Sequence, residues 1–147
     1  MAIDIFDDEY FMRQALIEAE NALNEDEIPI GCVIVCNNKI IARGHNMTER
    51  LNDSTAHAEI LAITSAEEYL GAKYLKDCSI YVTVEPCIMC AGAIMWSQID
   101  RIIYGAKDEK RGYSNFCQPF PKKVKIICGI LEDECKKLMQ NFFKSKR

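Results

Sequence analysis

Helix-like and strand-like patterns alternate along this chain after an opening pair of strands, and this order restricts the folds open to it. An amphipathic helix is predicted from Asp7, and strands at 32–36 and 39–44 are predicted to form a hairpin around Asn37-Asn38. The later segments are a helix at about 56–69, a strand at 79–84, a helix from Pro86, strands at 102–104 and 124–128, and a helix at 131–142. We therefore expect a three-layer α/β/α fold, in which helices cover both faces of a mixed five-stranded sheet with an N-terminal antiparallel hairpin.

The length of the chain, 147 residues, predicts a single domain over residues 1–147. No apolar run reaches the roughly 18 residues that a membrane-spanning helix needs, so we expect no membrane segment. Residues 1–8 carry acidic side chains rather than a basic segment followed by an apolar one, so we expect no secretory signal and a cytoplasmic protein. The eight cysteines are then expected to be reduced thiols.

The charged side chains are unevenly distributed, which matters more than the formal net charge of −4. Residues 1–106 carry 7 basic and 17 acidic side chains, a net charge of −10, whereas residues 107–147 carry 11 basic and 5 acidic side chains, a net charge of +6. A basic final third on an acidic body suggests contact with a polyanion. The alternative, which charge alone favours, is a solvated face with a basic tail at Lys144, Lys146 and Arg147.

Two short segments carry the side chains of a metal-dependent enzyme: Thr55-Ala56-His57-Ala58-Glu59 and Glu85-Pro86-Cys87-Ile88-Met89-Cys90. Cys87 and Cys90 share one face of a helix, and at its first turn the helix dipole favours the thiolates that metal binding needs. Two thiolates and one imidazole give Zn²⁺ three ligands and leave a fourth tetrahedral position for water, as in catalytic zinc sites. Glu59 is expected to approach that water and transfer its proton.

The Cys-x-x-Cys spacing alone is also typical of a thioredoxin-like redox pair or of two cysteines in a helix core. A closed structural zinc site is poorly supplied, because the only histidines are His45 and His57 and no second close pair of cysteines fits. The combination of His-x-Glu with Pro-Cys-x-x-Cys is the signature of zinc-dependent deaminases. It favours one zinc ion per chain, bound by His57, Cys87 and Cys90, with Glu59 as the catalytic proton carrier.

Beyond that signature, residues 8–143 resemble the bacterial tRNA-specific adenosine deaminases of the cytidine/deoxycytidylate deaminase superfamily. The similarity is carried by Tyr10-Phe11-Met12, Ile28-Pro29-Ile30-Gly31, Gly44-His45-Asn46, and the stretches 55–60, 81–93, 104–108 and 129–135. The zinc motifs mark the whole superfamily. Met89-Cys90-Ala91-Gly92-Ala93 and the ending Gly129-Ile130-Leu131 with Glu134-Cys135 are typical of the narrower group.

The resemblance implies a cytidine deaminase-like sheet, a homodimer, and zinc-dependent hydrolytic deamination of adenosine to inosine at wobble position 34 in the tRNA anticodon arm. A zinc-activated water would attack C6 of adenine while Glu59 moves the protons. The further substrate-binding residues that the resemblance implies are Asn46, Ile28, Pro29, Ala58 and Asp108. Without the resemblance, Asn46 is better explained as a turn residue at a strand end, and Asp108 is equally well explained as a turn carboxylate.

Such a pocket admits only a base that has left its stack, so flanking RNA must also be held. The basic residues predicted to contact the RNA backbone are Lys107, Lys110, Arg111, Lys122 and Lys123. The aromatic residues Tyr113, Phe116 and Phe120 would either stack on splayed bases or, as we favour, pack within their own loop or at an interface.

The chain departs from the resemblance in two places. Ser54 stands where the relatives commonly have Pro before Thr-Ala-His, and the loop at 112–124 is shorter and lacks their histidine-containing stretch, which helps to grip the anticodon arm. The close alternative is a free purine base or nucleoside deaminase of the same fold, such as a guanine deaminase. Those enzymes tend to have Pro after the first motif cysteine and Leu after the second, where this chain has Ile88 and Ala91. A non-enzymatic zinc or RNA-binding module is disfavoured by Glu59.

Overall fold

In this computed structural model, residues 6–146 are described, so the acidic start of the chain before Phe6 and the last basic residue, Arg147, lie outside the described part. The elements in chain order are α1 (Asp8–Asn24), β1 (Gly31–Cys36), β2 (Lys39–His45), α2 (Ala58–Leu70), β3 (Cys78–Val84), α3 (Ile88–Ser97), β4 (Arg101–Ala106), β5 (Lys125–Cys128) and α4 (Glu132–Ser145). The strands form one sheet in the order β2-β1-β3-β4-β5. β1 is antiparallel to β2 and β3, and β3, β4 and β5 are parallel, which confirms the mixed sheet and its opening hairpin.

Two apolar layers lie on opposite faces of the sheet, because alternate residues of a strand point to opposite sides. Val33 and Val35 of β1 pack with α1 and α4, whereas Cys32 and Ile34 pack with α2 and α3. Every one of these side chains except that of Val35 is fully shielded from solvent. The two helix pairs therefore bury both faces of the sheet, as the alternation of elements predicted.

The described helices begin close to their predicted starts, with two corrections. Asp7 caps α1 by accepting a hydrogen bond from the backbone N–H of Tyr10 at 2.8 Å. The helix predicted from residue 56 begins at Ala58, because His57 is its extended cap. The helix predicted from Pro86 begins at Ile88 instead. Pro86 and Cys87 remain extended because they pair with a later loop, whose Tyr113 donates a hydrogen bond to the Pro86 carbonyl at 2.9 Å.

The topology brings several chain segments to one edge of the sheet. β2, β3 and β4 run in the same direction, so the segments that follow His45, Val84 and Ala106 leave from that edge. β1 starts at the same edge and is fixed there by a hydrogen bond from the Gly31 N–H to the Thr83 hydroxyl at 3.2 Å. Both predicted motifs lie at this edge. Among the described helices, none is long and apolar enough to cross a membrane.

Candidate active site

Three metal-binding side chains converge at the sheet edge. His57 caps α2, Cys87 caps α3, and Cys90 lies in the first turn of α3. The Nδ1 atom of His57 is 3.6 Å from the Cys87 sulfur and 3.5 Å from the Cys90 sulfur, and the ligand atoms of all three lie within 4.8 Å of one another. Two ligands bound tetrahedrally to one zinc ion at about 2.0 and 2.3 Å would be roughly 3.5 Å apart, so this donor set fits zinc. Within residues 6–146 it is the one such group of three side chains.

Hydrogen bonds among the same three side chains favour the thiolate form of Cys87 even without a bound cation. A hydrogen bond from Cys90, with help from His57 and the Cys90 backbone N–H, lowers the pKa of Cys87 to about 4. The negative Cys87 in turn raises the pKa of His57 above its usual 6.5. The pKa of Cys90 is raised, because Cys90 keeps the proton that it donates to Cys87. A bound dication would favour deprotonation of both sulfurs, which is the form that coordinates zinc.

Glu59 lies in the first turn of α2, two residues after His57, and is 4% exposed. Its burial raises the pKa of the carboxyl group from 4.5 to about 7. The carboxylate accepts a hydrogen bond from its own backbone N–H and lies beside Cys90. A buried carboxyl group at the edge of a metal site, with a pKa near neutrality, has the properties of a proton carrier.

A cleft of about 1470 Å³ opens over His57, Cys87 and Glu59. Asn46 forms part of its wall, directly after β2, and is 4% exposed. Its backbone N–H donates to the Ile30 carbonyl at 3.1 Å, while its side-chain amide has no hydrogen-bond partner among the described residues. The amide is thus available to a ligand in the cleft, which supports the substrate-binding prediction rather than the turn interpretation.

The structure brings most of the predicted site residues to this cleft, but not all of them. The cleft is lined by Ile28, Asn46, Ala58, Lys107, Asp108, Lys110 and Arg111, as well as by the metal ligands His57 and Cys87 and by Glu59. Pro29 does not line it, because its side chain is fully buried beside the start of β1. Lys122 and Lys123 are exposed but also lie outside the lining, in the loop that precedes β5.

The polar and aromatic residues of the loop after β4 differ in whether they have partners within the loop. Asp108 is a turn carboxylate in the structure, since its Oδ1 accepts hydrogen bonds from the N–H groups of Lys110 at 3.1 Å and Arg111 at 2.9 Å, although it also lines the cleft. Tyr113 and Phe120 are buried against each other, with ring centroids 5.2 Å apart, as the loop-packing interpretation expected. Phe116 is 62% exposed and outside the cleft lining.

The sequence did not predict one part of the cleft wall. One face of α4 lines it through Lys136, Met139, Gln140 and Phe143. Phe143 is 46% exposed, although it belongs to the closing amphipathic helix. The only available signal was an apolar residue next to the buried Phe142, which is also typical of an ordinary helix edge.

All eight cysteines lie in the described residues and are free. Cys32 is fully buried, and burial raises the pKa of its thiol well above the usual value, so it is an unreactive core residue. Cys36 is half-buried opposite Cys78 across the β1–β3 pair, whereas Cys117 and Cys128 are exposed.

Comparison with known protein families adds a match over residues 6–106 to the cytidine and deoxycytidylate deaminase zinc-binding region. A curated tRNA-specific adenosine deaminase of Streptococcus pyogenes serotype M18 is 42% identical over 144 residues, which span 94% of this chain and 91% of that protein.

Two solved structures share the fold. One comes from biochemical and structural studies of A-to-I editing by tRNA:A34 deaminases at the wobble position of transfer RNA. It has a TM-score of 0.81 and 41% identity, and the match covers 88% of this chain and 98% of that one. The other is a guanine deaminase from Bacillus subtilis, with a TM-score of 0.65 and 44% identity over 67% of this chain and 64% of that one.

Proposed function

Because this chain belongs to the cytidine and deoxycytidylate deaminase family, we propose that it hydrolytically deaminates adenosine to inosine at wobble position 34 of tRNA, with one zinc ion per chain. The observation that carries the proposal is the convergence of His57, Cys87 and Cys90 beside the buried Glu59, at a cleft whose lining includes four basic side chains. The identity of 42% to a curated tRNA-specific adenosine deaminase supports tRNA as the substrate.

The catalytic roles follow from where each group lies. His57, Cys87 and Cys90 would hold zinc, which when bound acts as a Lewis acid that lowers the pKa of water. Glu59 would accept a proton from the attacking water, deliver it to the adenine ring and then protonate the departing amine as ammonia. The reaction consumes one water per adenosine and leaves the C6 oxygen of inosine.

The inner cleft would orient the extruded base. The free amide of Asn46 is available to hydrogen-bond the nucleoside, and the side chain of Ile28 and the Ala58 segment supply apolar wall on either side of it. Pro29, which does not reach the cleft, would support Ile28 from behind. A pocket of this kind admits a base only after it has left its stack, as in other nucleobase deaminases.

The outer cleft would hold the RNA on both sides of the base. Lys107, Lys110 and Arg111 lie at one wall and Lys136 at the α4 wall, and these four cations would contact the phosphates of a strand that enters the cleft between the acidic residues that also line it. Phe143, which is exposed and lines the cleft from the same helix as Lys136, offers a stacking surface for a neighbouring base. Lys122 and Lys123, which lie outside the cleft lining, would contact more distant phosphates of the anticodon arm.

The exposed surface of α3 supports a homodimer. Ile88 is 54% exposed and Trp96 is 75% exposed, although both belong to a helix without a single charged residue. Gly92, midway between them, has open space where a side chain would be, which allows close approach of a second helix. We therefore propose that α3 packs against a second copy of this chain.

We also propose that residues 1–147 form one deaminase domain and that the protein acts in the cytoplasm. Support for the single domain is that all strands of residues 6–146 join one sheet. The cytoplasmic location rests on the proposed tRNA substrate and on the free cysteines.

An inosine assay tests the proposed function. Zinc-loaded protein is incubated with a tRNA anticodon stem-loop carrying A34, with the same stem-loop carrying the adenosine elsewhere, and with free adenosine and guanine. We expect inosine at position 34 and much slower reaction of the other substrates. The resemblance to a guanine deaminase makes free guanine the important comparison. Turnover of guanine without inosine in RNA would establish the alternative.

A further inference from the structure

Glu85 is the acidic residue of the Glu-Pro-Cys-x-x-Cys motif, and neither metal binding nor proton transfer uses it. It directly follows β3, precedes the zinc ligand Cys87 by two residues, and is 4% exposed. Its Oε1 accepts a hydrogen bond from the backbone N–H of Asp108 at 3.2 Å, and its Oε2 accepts from the N–H and hydroxyl of Ser114 at 3.0 and 2.6 Å. Within residues 6–146 no basic side chain forms a salt bridge with it, so hydrogen bonds from the loop after β4 compensate its burial.

The hydrogen bonds of Glu85 continue to the basic residues of the cleft. Glu85 holds the backbone of Asp108, and the Asp108 carboxylate holds the N–H groups of Lys110 and Arg111. Two carboxylates in series therefore fix the backbone below the two cationic side chains. The side chains of Lys110 and Arg111 are exposed and line the cleft from this turn.

The far end of the same loop is closed over Glu85. A Cβ atom at Gly112 would overlap the Glu85 carboxyl group, so only glycine fits while Glu85 holds the loop. Gly112 also pairs with Cys87, and the Tyr113 N–H donates to the Pro86 carbonyl. The loop is thus attached to the residues that lead into the zinc centre.

We propose that Glu85 is a positioning residue that presents Lys110 and Arg111 to the RNA substrate from a fixed loop. The proposal rests on the proposed function in that the ligand is RNA. Glu85 lines the cleft, but each of its oxygens already accepts a hydrogen bond from the loop, so we assign it the role of holding the loop. Its effect is expected on RNA binding rather than on the zinc content of the protein.

The sign of one substitution separates positioning from simple charge. Glu85→Gln removes a negative charge from the cleft wall, and by long-range electrostatics alone this change would tighten RNA binding. Gln, however, has a single acceptor oxygen, and its NH₂ group cannot accept a hydrogen bond. It therefore cannot accept from both Asp108 and Ser114, and the loop loses hydrogen bonds. Positioning therefore predicts weaker binding. Glu109→Gln is the matched control, because Glu109 is exposed in the same turn and its side chain has no partner among the described residues.

The experiment measures binding of the A34 anticodon stem-loop to the zinc-loaded protein at several salt concentrations. We expect Glu85→Gln to weaken binding by roughly tenfold, as expected for lost hydrogen bonds to a charged group. The slope of log Kd against log salt should fall by about 1.4, which is about 0.7 for each of two lost phosphate contacts. Zinc per chain should be unchanged, and Glu109→Gln should bind as tightly as the wild type or more tightly. Equal or tighter binding by Glu85→Gln overturns the proposal.

A double-mutant cycle tests whether Glu85 acts through the two cations. In a chain that carries Lys110→Ala and Arg111→Ala, Glu85→Gln should weaken binding by less than about twofold, because the side chains that it positions are already gone. A full tenfold effect in that background would contradict the proposal. If Glu85→Gln does not fold, Gly112→Ala replaces it, since a Cβ atom there would overlap the Glu85 carboxyl group and displace the loop from it without changing the Glu85 residue.

Amide hydrogen exchange without RNA distinguishes this inference from the proposed function. The amides of Asp108 and Ser114 should exchange roughly tenfold faster in Glu85→Gln than in the wild type. Unchanged exchange shows that Glu85 does not hold the loop, whatever the substrate is. If the wild type neither binds the stem-loop nor forms inosine, the proposed function fails together with the RNA part of the inference, and exchange still decides whether Glu85 fixes the loop.

Discussion

Glu59→Gln is predicted to make the metal-free protein more stable while it abolishes activity. Burial raises the pKa of Glu59 from 4.5 to about 7, so the folded protein resists ionisation of this group. One pKa unit corresponds to about 1.4 kcal/mol, and the shift therefore amounts to about 3 kcal/mol of stability lost when the buried carboxyl group is charged. Gln keeps the shape of the side chain and never carries that charge.

The pH dependence of this effect has a definite sign. Below about pH 4.5 the carboxyl group is protonated in both the folded and the unfolded chain, so the wild type and Glu59→Gln should differ little. Between about pH 4.5 and pH 7 the unfolded chain releases its proton first, and the wild type loses stability as the pH rises. Above pH 7 the full difference of about 3 kcal/mol should favour the variant.

Urea unfolding in the presence of a chelator, at pH 5 and pH 8, measures the effect. Glu68→Gln is the matched control, because Glu68 is exposed on the same helix and its substitution should change neither value. With zinc restored, Glu59→Gln should bind the metal as the wild type does and lose about 10²–10⁴ of kcat. Equal stability of the variant and the wild type at pH 8 would refute the buried-charge argument, and retained inosine formation would refute the proton-transfer role.

Three further predictions concern the metal, the subunit contact and the RNA. Cys90→Ala should lower zinc affinity by more than about 100-fold, since even groups that only orient metal ligands contribute 10–100-fold; metal analysis after dialysis checks this. We expect the wild type to be a dimer by light scattering and Trp96→Glu to be a monomer at the same concentration, because the substitution places a charge in the apolar α3 surface. The double variant Lys122→Ala, Lys123→Ala should have only a small effect on the slope of log Kd against log salt for RNA binding. The change should be less than about half of that caused by removing the basic side chains that line the cleft, because Lys122 and Lys123 lie outside the cleft lining.

The zinc centre was predictable because its information is local. Cys87 and Cys90 are three residues apart, and His57 begins a helix, so their spacing and capping positions already point the ligands to one place. The strands were predictable for the same reason, since their apolar runs are bounded by turn residues. The starts of α2 and α3 were each predicted two residues early. For α3 the reason is non-local, because Pro86 and Cys87 pair with a loop more than twenty residues away and this pairing decides where the helix begins.

The outer cleft could not be predicted in the same way, because it depends on how distant segments pack. Pro29 and Ile28 are neighbours in sequence, yet one is buried behind the sheet edge and the other lines the cleft. Phe143 follows the buried Phe142 in the last helix, and only the position of α4 across β4 brings it to the cleft. Periodicity identifies which face of a helix is apolar, but it does not say what lies opposite the other face.

Three buried carboxylates lie near the cleft. Their roles differ because different groups donate hydrogen bonds to them, and not because of residue type or burial. Glu27 is 1% exposed, and it accepts hydrogen bonds from the backbone N–H groups of Glu49 at 3.1 Å and Arg50 at 2.7 Å. Glu27 and Glu85 each receive donors from a distant loop, so each is fully used in holding one wall of the cleft. The backbone donor to Glu59 is its own N–H, so no distant loop holds it, and it lies beside the metal ligands. Of the three, Glu59 therefore has the freedom to exchange a proton with a substrate.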